Sequence, residues 1–406
     1  MENALQALQH YFGIESFRGL QEHVVRAILQ GEDIICTLPT GAGKSICYTV
    51  PFLADKKSVV LVVSPLVSLI QDQVTKLNSR DRVGFNLSSS CESDDESFVF
   101  SNEAISSSHP LILFATPEKI ALDSFQRKLV TLNAAREISS FVIDEAHMLG
   151  EQGFDFRDSW LRLNFLRETF PSASILCFSA TCNDFCQRAL KKTLLMRETM
   201  VISQVDKKPN LTLNVHFAKR GKRECTCGSA VCTWQREFHL RDHSCGVATS
   251  LAEDLRRFSK GEVLLVTNSR KHCQQLHARV CEILPDKIVG LYHGQLDDAV
   301  RAEVQERFVS GSIDVLCCTG ASFGTGVNMP KLVKVVIFGV PISVYSFIQT
   351  MGRGGRAGQP YECDVYASEA DIVKQRAIVK GELKKLVGVR KREYAEHFQA
   401  SFQRMV

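Results

Sequence analysis

A lysine and a serine close the segment CTLPTGAGKSICY, residues 36–48, directly after the apolar run DIICTL. A lysine placed there can reach phosphate oxygens, a serine hydroxyl can ligate Mg²⁺, and glycines let backbone N–H groups approach an anion at the start of a helix, here expected near Ile46. The strict pattern G-x-x-x-x-G-K-[ST] requires a glycine where this chain has Leu38. The segment is therefore either a false match or a phosphate loop of a particular subclass.

An acidic pair, Asp144 and Glu145, follows the apolar run FVI. An aspartate at a strand end can position a metal ion, and a neighbouring glutamate can activate the water that attacks phosphorus. Alone, such a pair is more typical of a strand end with a helix cap. Because it follows the lysine–serine segment within one α/β pattern, the sequence predicts hydrolysis of a nucleotide whose Mg²⁺ is held by Ser45 and Asp144.

Short β-branched apolar runs alternate with helix-length amphipathic segments along the chain. The first series is DIICTL, SVVLVVSPL, PLILFAT, SSFVIDEA and SILCFSAT, and the second is GEVLLVTNS, KIVGLYHG, IDVLCCTG, KVVIFGVP and YECDVYAS. Nearly continuous apolar runs are typical of parallel strands buried on both faces. The pattern predicts an α/β protein with two tandem doubly wound parallel sheets. We expect domains at residues 1–205 and 206–370, followed by a short basic helical tail at 371–406.

Composition limits the classes of protein to consider. The 406 residues carry a net charge of only +4, so nucleic acid would have to bind local patches rather than a global basic field. No apolar stretch approaches the roughly 20 residues needed to span a bilayer, which predicts a protein without a membrane partner. Most of the fifteen cysteines stand singly in apolar runs, as expected of buried free thiols in a reducing compartment. These features predict a soluble intracellular protein.

Two segments interrupt the alternation. Residues 87–109 are rich in serine and acid, which favours a solvated loop with a short helix. Residues 218–246 concentrate potential zinc ligands, namely Cys225, Cys227, Cys232, His239, His243 and Cys245. Their spacing matches no common zinc finger, so the insert is either a zinc site or a reduced linker with a basic flank.

The order of the motifs resembles that of a known family. PTGAGKS, DEAH and FSAT look like motifs I, II and III of superfamily 2 helicases, whose phosphate loop often lacks the first glycine. YFGIESFRGLQEHVVRAIL, SPLVSLIQDQV, ATPEKI, TNSR, LYHGQLDDAVRAEVQERF, CTGASFGTGVNMP and QTMGRGGRAG narrow the resemblance to the RecQ family of DNA helicases. The resemblance runs from about residue 5 to residue 368.

The resemblance implies two RecA-like domains that hydrolyse ATP with Mg²⁺ and move along single-stranded DNA from 3′ to 5′, unwinding tailed duplexes in repair or recombination. ATP would lie between Lys44 of the first domain and Arg356 of the second. The catalytic residues would be Lys44, Asp144, Glu145 and, as arginine finger, Arg356. The ATP-binding residues would be Arg18, Gln21, Thr40, Gly41, Gly43, Lys44, Ser45, Gln349 and Arg353. The DNA-binding residues would be Ser64, Pro65, Thr116, Phe154, Phe156, Arg157, Asn268, Arg270 and His293.

Several positions depart from the usual family pattern. Gln152 stands in place of a tryptophan, and Phe154 in place of a histidine, in the loop after DEAH. Gly354 and the pair Ala357–Gly358 depart from GRAGRDG in a way similar to fungal RecQ-like helicases.

Arg353 and Arg356 are expected on one face at the start of a helix. Residues 371–406 contain no cysteine for the zinc ribbon usual in RecQ proteins, so we expect a truncated chain or a minimal core.

Two alternatives remain open at this stage. One is an RNA helicase of the same superfamily, and the other is a DNA-stimulated ATPase or DNA-binding scaffold that does not unwind. The RecQ-type N-terminal motif with Arg18 and Gln21 argues against the first, and the intact phosphate-site residues argue against a scaffold. The expected location is the nucleus in a eukaryote and otherwise the cytoplasm.

Overall fold

The structure is a computed structural model. It describes residues 1–89, 93–152, 158–204, 209–218, 255–258, 262–320, 323, 329, 331–341, 344–355, 358–368, 371–373 and 375–377. The chain folds as two compact units, Met1–Asp206 and Lys207–Val406. Each unit is built on its own parallel sheet, which confirms the predicted α/β class.

The first unit contains a sheet of seven described strands in the order β3-β4-β2-β5-β6-β1-β7, all parallel. The strands are β1 (Asp33–Thr37), β2 (Val59–Val63), β3 (Gly84–Asn86), β4 (Leu111–Ala115), β5 (Ser140–Ile143), β6 (Ser174–Ser179) and β7 (Thr199–Ser203). The carboxyl ends of parallel strands meet at one edge of a sheet, where ligands of open α/β sheets bind.

The helices of this unit are α1 (Glu2–Phe12), α2 (Gln21–Leu29), α3 (Lys44–Leu53), α4 (Val67–Leu77), α5 (Asp94–Val99), α6 (Asn102–Ser106), α7 (Pro117–Ile120), α8 (Asp123–Ala135), α9 (His147–Gln152), α10 (Asp158–Leu161), α11 (Asn164–Thr169) and α12 (Asp184–Thr193). Side chains fix several starts. Thr116 accepts a hydrogen bond from the Lys119 backbone N–H and begins α7, and Asn183 begins α12 in the same way through Cys186.

The second unit contains a parallel sheet of six described strands in the order β10-β11-β9-β12-β13-β8. They are β8 (Leu211–Ala218), β9 (Val263–Thr267), β10 (Val289–Tyr292), β11 (Val315–Thr319), β12 (Lys334–Phe338) and β13 (Tyr361–Ser368). The helices with described bounds are α13 (Arg270–Ile283), α14 (Asp298–Ser310) and α15 (Val344–Met351).

Both sheets bury apolar side chains on their two faces. In β2, Val59, Leu61 and Val63 belong to one core, while Val60 and Val62 belong to the core on the opposite face. In β9, Leu264 and Val266 pack on one side of the second sheet and Val263 and Leu265 on the other. This double burial explains why the strands are apolar runs rather than alternating sequences.

The structure corrects one expectation about the organisation of the first unit. The segment 87–109 forms two helices, α5 and α6, whereas a solvated loop with one short helix was expected. Its residues Glu96, Val99 and Ala104 are buried against the sheet. The segment is therefore part of the packed unit, apart from residues 90–92, which lie outside the described residues.

Candidate functional site

The phosphate-loop segment connects β1 to α3 at the carboxyl edge of the first sheet. Gly41 and Gly43 adopt φ values of 82° and 76°, a left-handed backbone that favours glycine. Helix α3 begins at Lys44, two residues before the predicted start near Ile46. The backbone N–H groups of the first turn, from Lys44 and the half-buried Ser45 onward, are consequently available to an anion.

The Lys44 ammonium folds back onto its own loop. Its Nζ lies 3.3 Å from the carbonyl oxygens of both Leu38 and Pro39 and donates to them. Two carbonyls satisfy a lysine only in part, because an ammonium has three protons to donate. Leu38 itself is buried, so the residue that breaks the strict motif serves as a core contact and as a carbonyl partner of Lys44.

Gln21, predicted to recognise adenine together with Arg18, contacts the loop directly. Its Nε2 donates to the Ala42 carbonyl at 2.8 Å, and its Oε1 accepts from the Arg18 backbone N–H at 2.9 Å. A Cβ at Gly43 would lie 2.5 Å from Gln21 Nε2, so a side chain there would have to move the Gln21 amide away from the loop. The Arg18 side chain is exposed beside this contact.

Asp144 and Glu145 lie just beyond the end of β5. The Glu145 backbone N–H donates to Asp144 Oδ1 at 3.0 Å, and Glu145 itself has a φ of 49°, unusual for a residue with a side chain. Burial raises the pKa of Asp144 to about 6, the Glu145 carboxylate adds to the rise, and the Lys44 ammonium opposes it. Burial likewise raises the pKa of Glu145, and Lys44 lowers it. The lysine therefore lies close enough to act on both acids.

His147 joins the DEAH segment to the residues after β6. Its Nδ1 lies 3.0 Å from Ser179 Oγ, which itself donates to the Thr181 carbonyl at 2.6 Å. Because the serine proton is used there, His147 Nδ1–H is the donor of this pair. Burial lowers the pKa of His147 to about 4, with the Lys44 charge acting in the same direction, so the imidazole is neutral near pH 7. The imidazole whose Nδ1 lies 3.4 Å from Glu145 Oε2 therefore carries no charge.

Two residues absent from the sequence-based site contact Asp144 or lead to it. The buried Tyr48 hydroxyl lies 3.2 Å from Asp144 Oδ2 and 2.9 Å from Gln73 Oε1. Tyr48 stands one helical turn after Lys44 on α3, and Gln73 is on α4. A tyrosine within an otherwise apolar helix was the only available sign of this contact.

Four buried oxygens at the carboxyl ends of neighbouring strands neither accept nor donate a hydrogen bond. They are Thr37 Oγ1, Ser64 Oγ, Glu145 Oε2 and Thr181 Oγ1. Buried polar atoms in proteins nearly always have a partner, so such a cluster marks a place where a polar ligand binds. They end or follow the adjacent strands β2, β5, β6 and β1, of which β1 leads directly into the glycine loop. The residues fit a nucleotide whose phosphates carry Mg²⁺, with Ser45 and Asp144 as the protein oxygens that would hold the metal.

The predicted DNA-binding residues of the first unit follow β2 and β4. Ser64 and Pro65 are buried, and the Thr116 hydroxyl caps α7. Val67, at the start of α4, is exposed instead. The side chains of Ser64, Pro65 and Thr116 thus shape the backbone at this edge, and contact with DNA remains a prediction for them.

In the second unit the candidates lie after β9 and β10. Asn268 is exposed and donates to the Val340 carbonyl at 2.6 Å, while the exposed Arg270 begins α13 behind a cap by Ser269. His293 is buried, and its Nε2 lies 3.3 Å from Gln274 Nε2. Asn268 and Arg270 therefore present polar groups at the surface, whereas His293 does not.

The structure corrects the predicted placement of Arg353. Helix α15, which carries the half-buried Gln349, ends at Met351, so Arg353 lies in a turn after a helix rather than at the start of one. Arg353 is buried and its Nη2 donates to the Gly320 carbonyl at 3.1 Å. Gly354, which departs from the usual family alanine, has a structural reason: a Cβ there would lie 2.0 Å from Cε2 of the buried Tyr361.

Several predicted residues lie outside the described residues. They are Phe154, Phe156, Arg157, Arg356, Cys225, Cys227, Cys232, His239, His243 and Cys245. Across the part of the chain that the structure describes, no group of three or more His, Cys, Asp or Glu side chains could hold a metal ion, and no helix is long and apolar enough to cross a bilayer.

Comparison with known protein families defines the class. Residues 18–189 match the family described as DEAD/DEAH box helicase, and residues 247–358 match the Helicase conserved C-terminal domain. The first match contains β1 to β6 of the first sheet, and the second contains β9 to β12 of the second sheet. The chain is therefore a superfamily 2 helicase homologue with two RecA-like domains.

Individual relatives narrow the class to one family. ATP-dependent DNA helicase Q-like 4B of Arabidopsis thaliana is 31% identical over 369 residues, which are 91% of this chain and 30% of that protein. Probable ATP-dependent DNA helicase RecS of Bacillus subtilis is 29% identical over 94% of this chain and 70% of its own length. ATP-dependent DNA helicase RecQ of Haemophilus influenzae is 30% identical over 91% and 54%, respectively. The chain is thus similar to RecQ-type DNA helicases over more than nine-tenths of its length, and it spans about half the length of the last relative.

Solved structures show the same fold at lower identity. The DUF1998 helicase MrfA bound to DNA matches with a TM-score of 0.66 and 19% identity, covering 91% of this chain and 50% of that one. S. cerevisiae Dbp5 bound to RNA and ADP BeF3 matches with a TM-score of 0.64 and 14% identity, covering 95% and 92%. At these identities the likeness concerns the fold alone, and it confirms the RecA-like architecture.

Proposed function

We propose that this chain is an ATP-dependent DNA helicase that moves 3′ to 5′ on single-stranded DNA and unwinds tailed duplexes in DNA repair or recombination. The observation that carries the proposal is the set of unpartnered buried oxygens at the carboxyl ends of strands of the first sheet, one of which belongs to Glu145, whose carboxyl feels the charge of Lys44. Similarity to relatives that are named DNA helicases supports DNA as the polymer.

Different residues of the first unit bind different parts of ATP. The α3 N-terminus and Lys44 bind the phosphates, and Gln21 with Arg18 orients the adenine end from beside Ala42. Mg²⁺, when bound, supplies charge neutralisation on the phosphate oxygens. Ser45 and Asp144 would hold the ion through their side-chain oxygens.

Glu145 is the group that takes a proton from the attacking water. Its Oε2 has no hydrogen-bond donor, and neutral His147 beside it leaves the carboxylate free to accept. The raised pKa of Glu145, caused by burial, makes it a better base than an exposed glutamate. Arg356 keeps the role that its place in motif VI implies, which is to stabilise charge on the transferred phosphoryl group.

The test is ATP hydrolysis measured alone, with single-stranded DNA and with single-stranded RNA of the same sequence. We expect DNA to stimulate hydrolysis more than RNA does, and Lys44→Ala to reduce turnover by about a hundredfold or more. Lys76→Ala, which removes an exposed lysine that forms an ion pair with Asp72 on the same helix α4, is the matched control and should behave as the unaltered chain. Stimulation by RNA alone would favour the RNA helicase alternative.

A further inference from the structure

The Tyr48 hydroxyl has fewer protons than it has neighbouring acceptors. It lies within hydrogen-bond distance of two acceptors, Gln73 Oε1 at 2.9 Å and Asp144 Oδ2 at 3.2 Å, yet it has one proton to donate. The tyrosine ring is buried and held edge-on against Phe178, 5.0 Å away, so the hydroxyl cannot turn to solvent. In one of the two contacts, the donor must therefore be a group other than the Tyr48 hydroxyl.

The amide of Gln73 can supply the missing donor. The oxygen and nitrogen of a glutamine amide have the same shape, so their assignment follows from the hydrogen bonds that they make. If the amide is turned, Nε2–H donates to the Tyr48 oxygen and the Tyr48 proton goes to the ionised Asp144. Both contacts are then satisfied, whereas the opposite order would aim an oxygen lone pair at a buried carboxylate.

We infer that Gln73 and Tyr48 form a relay of hydrogen bonds that fixes the carboxylate of Asp144 for the metal of the bound nucleotide; this rests on the proposed function. Asp144 Oδ1 receives the Glu145 backbone N–H, and Oδ2 receives the Tyr48 hydroxyl. With one donor on each oxygen, the carboxylate plane cannot rotate. A lone pair remains on each oxygen for a metal ion or its water ligand. Gln73 and Tyr48 are thus positioning residues.

The relay also ties two helices to the acid. Tyr48 stands on α3, which begins at Lys44, and Gln73 stands on α4, which begins three residues after Ser64. The position of the metal-orienting carboxylate is consequently set by both the phosphate-loop helix and the helix that follows the predicted DNA-binding segment.

The test is Mg²⁺-dependent binding of a fluorescent, non-hydrolysable ATP analogue to the full chain. Tyr48→Phe removes only the hydroxyl. We expect the Mg²⁺ concentration that gives half-maximal binding to rise about tenfold or more. Binding of the analogue in excess EDTA should be unchanged. Tyr361→Phe, which removes another buried tyrosine hydroxyl in the second unit, is the matched control and should leave the Mg²⁺ dependence unaltered.

A second variant tests the direction of the relay. Gln73→Met keeps the length of the side chain and removes its amide. Tyr48 can still donate to Asp144, but no amide N–H donates to the Tyr48 oxygen. We expect the half-maximal Mg²⁺ concentration to rise about two- to threefold. The relay would be overturned if the half-maximal Mg²⁺ concentration fell in Gln73→Met. It would also be overturned if this concentration were unchanged in Tyr48→Phe. If the unaltered chain binds the analogue identically with and without Mg²⁺, the proposed function fails and the relay with it.

Discussion

The carboxylate of Asp144 is held in an environment that disfavours its charge. Burial and the neighbouring Glu145 raise its pKa to about 6, above the usual value near 3.9. The folded state therefore binds a proton more tightly than the unfolded chain between these two values. The stability that this group contributes is present below its unfolded pKa and is lost as the pH rises through about 6.

Asp144→Asn should stabilise the nucleotide-free protein at neutral pH while abolishing hydrolysis, because the amide resembles the protonated acid. We expect a gain of about 1 to 3 kcal/mol near pH 7.5 and little gain near pH 4.5. Thermal unfolding at the two pH values measures the difference. An equal gain at both values would mean that ionisation of Asp144 is not its source.

Gly354 is required by the ring of Tyr361, which occupies the place of its missing side chain. We expect Gly354→Ala to cost about 1 to 3 kcal/mol in the free energy of unfolding, because a methyl group must displace a buried aromatic ring. The control is Gly358→Ala, where φ is 86° but no atom lies within 4 Å, so only backbone strain of about 1 kcal/mol is added. Denaturant unfolding of both variants separates steric overlap from strain, and a smaller loss for Gly354→Ala than for Gly358→Ala would contradict this account.

At the residue scale, the sequence identified the groups whose types do chemistry but not those that position them. Lys44, Asp144 and Glu145 stand in recognisable motifs. Tyr48 and Gln73 do not, because a tyrosine on an apolar helix face and a glutamine on an amphipathic helix are ordinary residues until the fold brings α3 and α4 together.

At the scale of elements, the long central strands were predictable because burial on both faces makes them continuous apolar runs. Of the four described edge strands only β10 was predicted. The others were not: β3 has three residues, β7 is half-exposed, and β8 begins close to the expected domain boundary at residue 205. Arg353 was misplaced because glycines let the chain leave α15 just before it. Short or half-exposed elements depend on neighbours distant in sequence, which periodicity does not reveal.

The helices α5, α7 and α8 are joined by one buried acid. Glu96 on α5 lies 2.7 Å from Lys119 Nζ on α7 and 2.9 Å from Lys128 Nζ on α8. Lys119 is itself buried and also donates to the Ser89 carbonyl. This cluster holds the segment after β4, which includes Thr116, and explains why residues 93–106 are packed rather than solvated.

Removing this acid should destabilise the first unit. Glu96→Ala leaves the Lys119 ammonium buried without its anion, and such losses cost about 3 to 5 kcal/mol. Glu22→Ala removes the exposed pair with Arg26 and should cost less than about 1 kcal/mol. Urea unfolding compares the two variants, and equal midpoints would show that the buried cluster contributes no more than a surface pair.

At the scale of the whole molecule, the net charge is only +4, so the proposed DNA binding would rely on local groups. The proposed ones are the exposed Arg270 and the basic segment at 371–406, which lies mostly outside the described residues. Phosphate contacts of this kind release counterions. We therefore expect the DNA concentration for half-maximal ATPase stimulation to rise steeply between about 50 and 200 mM salt, by about tenfold or more. Hydrolysis without DNA, measured over the same range, is the control, and a parallel loss of both activities would point to ATP binding instead.

Strand displacement tests the central claim most directly. A fluorescently labelled duplex with a single-stranded 3′ tail is compared with its 5′-tailed counterpart, in the presence of ATP and Mg²⁺. We expect displacement of the 3′-tailed duplex alone, and none by Lys44→Ala. DNA-stimulated hydrolysis without displacement of either duplex would contradict the helicase and leave a DNA-stimulated ATPase.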